Sequence, residues 1–349
     1  MPVRVETLDR SREAAYGRFL EDDWRPLLYA SPKYLELLAR FLDADVRCWV
    51  ALDDAGRIVG ALPAVLKRHD PGGAVLNSLP FYGSNGGVVE HAGDRAVRGA
   101  LLDAFDRAAE TEGCVSSTLI TSPFETDLAL YEERFAGALR DERIGQITSL
   151  APGGGFDPEA LLASFDPVRR RNIRKAERSG FTVRSAGASG LDFLVETHEE
   201  NMRAIGGAAK PRSFFDLVAS TFEAGREYDV VTARDGAEPV AALLLFYFNR
   251  TVEYFTPVIR NADRTRQPLS LVCHHAMCEA ARRGFEWWNW GGTWKTQTGV
   301  HRFKKKWAAR DLPYYYYTRI GDPGLLEQTP GDLLLRYPYF FVVPFSALR

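Results

Sequence analysis

Three strand-like runs follow one another between residues 228 and 258, separated at Asp235-Gly236 and Asn249-Arg250. Connections this short cannot carry a crossover, so 228–233, 240–248 and 251–258 are expected to form an antiparallel meander. A helix over 268–283, opened by Pro268 and stopped by Gly284, leads to a further strand at 285–290. Before the meander, a helix over 158–179 ends at Gly180, a strand follows at 181–184, and helices at about 191–204 and 212–224 come next. The first half repeats a shorter version of this order. Helices at 12–20 and 32–42 precede a hairpin over 47–66, a short strand at 75–79, a helix over 94–111 and a strand at 116–120. With 349 residues the chain is long for one core, so two domains are expected. The Ala151-Pro152-Gly153-Gly154-Gly155 cluster is read as the linker.

Composition narrows the class. Hydrophobic residues make up 46% and charged ones 26%, the balance of a globular chain. A net charge of −2 argues against a DNA-binding protein working by bulk electrostatics. Four cysteines are too few for a secreted disulfide scaffold, and no N-terminal signal segment is evident, so a cytoplasmic location is expected. The apolar tail at 333–344 is interrupted by Arg336, Pro338 and Pro344, which favours packing against the body over membrane contact.

Several chemistries are excluded by motif. The chain has no phosphate-binding P-loop, no dinucleotide fingerprint and no nucleophile elbow. Cys273-His274-His275 with Cys278 places only His274 and Cys278 on one helix face, so no metal is expected. What stands out is 287–294, Trp-Trp-Asn-Trp-Gly-Gly-Thr-Trp, followed by 299–307, Gly-Val-His-Arg-Phe-Lys-Lys-Lys-Trp. Aromatics gathered beside cations are costly to bury unless electron-rich groups meet the charge. The segment 169–178 adds six basic residues and one acidic one. Arginine forks there suit a phosphate-bearing ligand. The glycine-rich 82–87 can approach a ligand closely, and Glu253 and Tyr254 lie on a central strand.

The 299–307 segment, preceded by an aromatic strand and Gly291-Gly292, resembles the C-terminal signature of Fem-type acyltransferases, the double-domain branch of the GNAT N-acyltransferase superfamily. The arginine helix 169–180 and the loop 80–87 are similar to further elements of that family, whose bacterial members include peptidoglycan-bridge aminoacyltransferases. The resemblance implies an α/β (α+β) fold of two tandem GNAT-like units, each a mixed, mostly antiparallel sheet flanked by helices. The units are placed at 1–155, on the acceptor side, and 156–349, on the donor and catalytic side. It also implies an acyltransferase that passes an acyl or aminoacyl group to a small-molecule amine by direct attack, with no tightly bound cofactor. Aminoacyl-tRNA, held by its acceptor end, is expected as co-substrate ahead of acyl-CoA. The acceptor is expected on a cell-envelope precursor or a specialised metabolite. An acyl-CoA-dependent N-acetyltransferase and a non-catalytic ligand-binding module are the alternatives. Lys304 matches the family lysine and is expected to stabilise developing negative charge, with His301, Glu253 and Tyr254 as base or relay. Tyr82, Asn85, Arg170, Arg174, Trp294, Arg302 and Lys305 are expected to bind substrate. Arg264, Arg266 and Gln267, before the Pro268 helix, are expected to bind the donor.

Overall fold

Both halves of the chain build their sheets by the same succession of pairings, in which antiparallel neighbours are followed by one parallel pair across a helix. The computed structural model describes residues 3–79 and 86–349. It divides into two compact units, Met1–Ile144 with Leu312–Arg349, and Gly145–Asp311. In the first, β1 (Arg4–Thr7), β2 (Asp45–Leu52), β3 (Ile58–His69) and β4 (Gly73–Asn77) pair antiparallel in order. A two-residue strand, β5 (Val89–Glu90), pairs with β3. The helix α3 (Arg95–Thr111) then crosses to β6 (Cys114–Ile120), which lies parallel to β4. Helices α1 (Glu13–Glu21), α2 (Pro32–Leu42) and α4 (Leu128–Arg134) complete that part of the unit. Ser31 caps α2 and Pro32 opens it, as the sequence predicts.

The chain passes to the second unit within β7 (Leu139–Ser149). There α5 (Pro158–Ser164) and α6 (Pro167–Arg178) precede β8 (Thr182–Ser185), and α7 (Leu191–Ala204) and α8 (Arg212–Thr221) follow it. The meander is β9 (Tyr228–Asp235), β10 (Glu238–Phe248) and β11 (Thr251–Ile259), and β8 pairs antiparallel with β9. Helix α9 (Pro268–Arg282) crosses to β12 (Trp287–Trp294), parallel to β11, and α10 (Thr298–Lys305) closes the unit. Leu243, Leu245, Val252, Met277, Trp288, Trp290 and Trp307 form its core. The return strand β13 (Arg310–Ile320) runs antiparallel to β6, and the short α11 (Pro330–Arg336) follows.

Three expectations change. The helix read over 158–179 is two, because Asp166 caps a new start and Pro167 occupies its first turn. The strand read over 285–290 continues through Gly291 and Gly292 to Trp294. The division at 155/156 is not the one the chain makes, since 151–155 forms a turn inside the second unit. Residues 312–349 fold with the first unit instead, because their aromatic and branched side chains find their core there. Tyr337, Phe340, Val342 and Val343 are buried. No described helix is long and apolar enough to cross a membrane.

Asn77, at the end of β4, holds this tail by two bonds. Its amide donates to the Phe341 carbonyl and its side-chain oxygen accepts from the Phe341 N–H, both at 2.8 Å. The side chain is fully buried, so its truncation leaves the Phe341 N–H without its partner and the Phe341 carbonyl with only the Thr118 hydroxyl at 3.3 Å. Asn77→Ala should lower unfolding free energy by about 2–3 kcal/mol. Urea denaturation of the two proteins measures this, and a change below about 0.5 kcal/mol would remove the clamp from the account.

Candidate functional site

The second unit's sheet opens between β11 and β12. Their parallel register holds for three pairs, the last being Glu253 opposite Asn289, although both strands continue beyond it. Next to that rung β11 carries a bulge: Leu244 faces Thr256 and Leu245 faces Tyr254, which leaves Phe255 unopposed. Asn289 fixes the rung. Its amide donates to Glu253 Oε2 at 2.9 Å, and its oxygen accepts from the Gly291 N–H at 2.9 Å. Gly291 adopts φ +69°, a left-handed conformation open to glycine without penalty. A strand end that leaves its neighbour exposes backbone groups, and their partners define the site.

Lys304 supplies them. It lies on α10 with 5% exposure, and its ammonium donates to Gly291 O (3.2 Å), Gly292 O (3.1 Å) and Thr293 Oγ1 (2.7 Å). An ammonium has three protons, so all are committed to β12. Burial lowers its pKa to about 8, which still leaves it charged at neutral pH. Thr293 donates onward to Gln146 Oε1 at 3.2 Å, and Gln146 Nε2 donates to Asp311 Oδ1 at 3.1 Å. The other oxygen of Asp311 meets His301 Nε2 at 3.1 Å and Lys305 Nζ at 3.5 Å. Behind β12, Trp290 Nε1 donates to Thr148, whose hydroxyl donates to the Trp307 carbonyl, both at 2.9 Å.

A second buried cation ties α6 to α9 and α10. Arg169 is 5% exposed; its Nη1 donates to Ser270 at 2.8 Å, and its guanidinium lies 4.6 Å from the ring centres of both Phe303 and Trp307. Burial lowers its pKa. Ser270 sits in the first turn of α9. Gln267, just before that helix, takes φ +64°, and its side-chain oxygen accepts from Asn172 (3.0 Å) and Ser270 (3.3 Å).

The residues singled out from sequence fall into distinct places. Lys304, His301, Glu253 and Tyr254 all lie in the second unit, at the divergence of β11 and β12 or on α10 beside it. Tyr254 packs on Trp290, ring centres 4.8 Å apart, and burial pushes its phenol well above the ordinary value. A phenol so held stays protonated at neutral pH. Arg302 and Lys305 are exposed on α10, and Trp294 is 48% exposed at the end of β12. Arg174 is exposed and Arg170 half-buried on α6. Arg264 is exposed and bonded to Asn261. Arg266 is engaged by Asp235 (2.5 Å), Asp263 (3.2 Å) and the ring of Phe181, which makes it an anchor of its loop. Tyr82 and Asn85 lie outside the described residues. On α9, Cys273 is buried and its thiol is pushed up to about 12, while His274 and Cys278 meet at 3.5 Å. The sequence reading did not single out Arg169, Gln146, Thr293, Asn289, Ser270 or Asp311. Only Asn289 carries a signal, as the one polar residue among three tryptophans.

Residues 168–305 match the acetyltransferase (GNAT) domain family. The crystal structure of FemX is similar to this chain with a TM-score of 0.71, at 14% identity, over 92% of this chain and 98% of that one. A tandem GNAT protein from the clavulanic acid biosynthesis pathway is similar at TM-score 0.56 and 13% identity, over 92% and 99%. The C-terminal domain of a putative lysylphosphatidylglycerol synthetase from Agrobacterium fabrum is similar at TM-score 0.56 and 15% identity, over 95% and 98%. No curated protein matches the chain. The chain therefore has a fold like that of FemX and of the tandem GNAT protein. Within it, residues 168–305 are the part similar to the acetyltransferase (GNAT) domain.

The buried ammonium has a pH signature. With its folded pKa lowered from 10.5 to about 8, the unfolded chain binds more protons between those values, so stability rises with pH across that window. Lys304 should therefore add about 2 kcal/mol of stability between pH 7 and 9.5. Lys210 is lowered to about 8 as well, but it is present in both proteins when the wild type is compared with Lys304→Met. Urea midpoints at the two pH values should show a smaller alkaline gain in Lys304→Met. Equal gains would mean that Lys304 is not desolvated.

Proposed function

We propose that the chain is an N-acyltransferase that moves an aminoacyl or acyl group to an amine by direct attack, with aminoacyl-tRNA favoured over acyl-CoA as donor. The amine belongs to a cell-envelope precursor or a specialised metabolite. The observation that carries the donor choice is the state of the α9 N-terminus. A pyrophosphate held at a helix start needs free backbone N–H groups. Here Pro268 at the first position has none, and the Ser270 N–H is bonded to the Gln267 carbonyl at 3.0 Å. The Gln267 side chain and Arg169 further engage the Ser270 hydroxyl.

A polyanion has a better reception elsewhere in the same unit. Arg170, Arg171, Arg174, Lys175 and Arg178 on α6, with Arg302 on α10 and Lys306 just after it, make no ion pair among the described residues. The two helices are neighbours: the Asp166 N–H donates to the Lys306 carbonyl at 3.0 Å, and Arg169 lies between Phe303 and Trp307. A row of uncompensated cations suits the phosphates of an RNA end.

Direct transfer requires an amine that loses its proton, a stabilised oxyanion and aligned reactants. His301 is our choice to take the proton. With Nε2–H given to Asp311, its Nδ1 is left as the acceptor. Glu253 and Asn289 hold the rung where β11 and β12 part. Lys304, with three acceptors of its own, polarises the peptide units of residues 291–293 and keeps the strand in place. Trp294 and Arg302 flank this edge for substrate.

The test is to incubate the protein with aminoacyl-tRNA or acyl-CoA and a panel of amines, following deacylated tRNA or free thiol. Transfer from aminoacyl-tRNA is expected. Arg171→Glu with Arg174→Glu should raise the KM for tRNA roughly tenfold with little change in kcat. Turnover with acyl-CoA alone would reverse the donor choice. Ligand binding without turnover from either donor would replace the enzyme by a binding module.

A further inference from the structure

Lys304 is a buried ammonium with no carboxylate paired to it among the described residues, yet a carboxylate stands at the end of the hydrogen-bond chain it begins. Each link has its direction fixed by chemistry. The ammonium can only donate, so Thr293 Oγ1 accepts from it and turns its own proton to Gln146 Oε1. That orients the amide of Gln146, whose Nε2 donates to Asp311 Oδ1. Dipoles aligned head to tail between a cation and an anion reinforce one another. Gln146 and Thr293 are both buried, whereas Asp311 is exposed. Like Thr293, Gln146 must accept on one side and donate on the other, which an amide does and a carboxylate does not.

We propose that Gln146 is a positioning residue of the acyl-transfer centre: it joins Lys304 and Thr293 to Asp311, and so holds residues 291–293 of β12 in the geometry over which transfer occurs. Gln146 touches no substrate; it acts through Thr293 on the strand that Lys304 grips. The catalytic part of this inference rests on the function proposed above. The structural part does not.

The experiment uses the full-length protein with Gln146→Glu, Asp311→Asn and both together, at pH 8. In Gln146→Glu the introduced carboxylate can accept from Thr293 but faces Asp311, so the chain breaks. Hydrogen exchange in the peptide spanning 291–294 should quicken about tenfold, the equivalent of one lost buried hydrogen bond. Asp311→Asn alone should change it by no more than about twofold, because the amide oxygen still accepts from Gln146. In the double variant the amide at 311 turns to donate to the carboxylate at 146, and exchange should return to within about twofold of wild type. Should Gln146→Glu fail to fold alone, folding of the double variant is itself the rescue. Thr293→Val, which cuts the same chain one link earlier, should match Gln146→Glu in exchange. With a working donor, Gln146→Glu should lower kcat about tenfold with KM unchanged. Effects of the two changes on exchange that simply add, or a Gln146→Glu protein with unchanged exchange, would overturn the proposal. Rescue of exchange in a protein that transfers no acyl group would keep the network and refute the enzyme reading instead.

Discussion

The site depends on one ammonium that has been taken out of water and given three oxygens in return. Lys304 meets the carbonyls of Gly291 and Gly292 and the hydroxyl of Thr293. Where β12 leaves β11 its backbone cannot be satisfied by the sheet, and a cation on α10 takes over that task. The lysine thus converts a sheet defect into a defined edge. The desolvation cost shows in a pKa lowered to about 8. That cost is tolerated because every proton has an acceptor.

The same reasoning accounts for the unusual sequence around it. Aromatic residues and buried cations meet around the segment 287–307 because each of the two buried cations is matched to electron-rich groups. Arg169 from α6 lies against Phe303 and Trp307, and Lys304 lies against carbonyls. Trp288, Trp290 and Trp307 are core, which leaves Trp294 at the exposed end of the strand. Packing at one side of α10 and hydrogen bonding at the other make that helix the brace of β12. The polar path through Gln146 extends the brace to the start of β13.

Much of the fold was legible because its signals are local. Two-residue turns at Gly236-Ala237, signalled by Asp235-Gly236, and at Asn249-Arg250 fix the meander, and Ser31-Pro32 and Gly284 mark helix ends. The strands β7 and β13 were not legible. One carries Arg140-Asp141-Glu142-Arg143 in its first half and the other holds four consecutive tyrosines, so neither shows a clean alternation. Both also carry the chain between units, a choice that local pattern does not encode. In the site, Lys304 was legible as a position through family resemblance, but its partners were not. Gly291 and Gly292 present carbonyls to it only after the strands part. Arg169 could not be told from its neighbours in a run of arginines, since burial of one among three follows from helix phase against α9 and α10.

The central claim is that Lys304 builds the edge on which acyl transfer occurs and does not itself hold the oxyanion. A crystal structure with a phosphonate analogue of the tetrahedral intermediate tests it most directly. The account predicts that Nζ keeps its bonds to Gly291 O, Gly292 O and Thr293 Oγ1 while the analogue's anionic oxygen is met by other donors. A structure in which Nζ has left these groups for the phosphonate oxygen would contradict it.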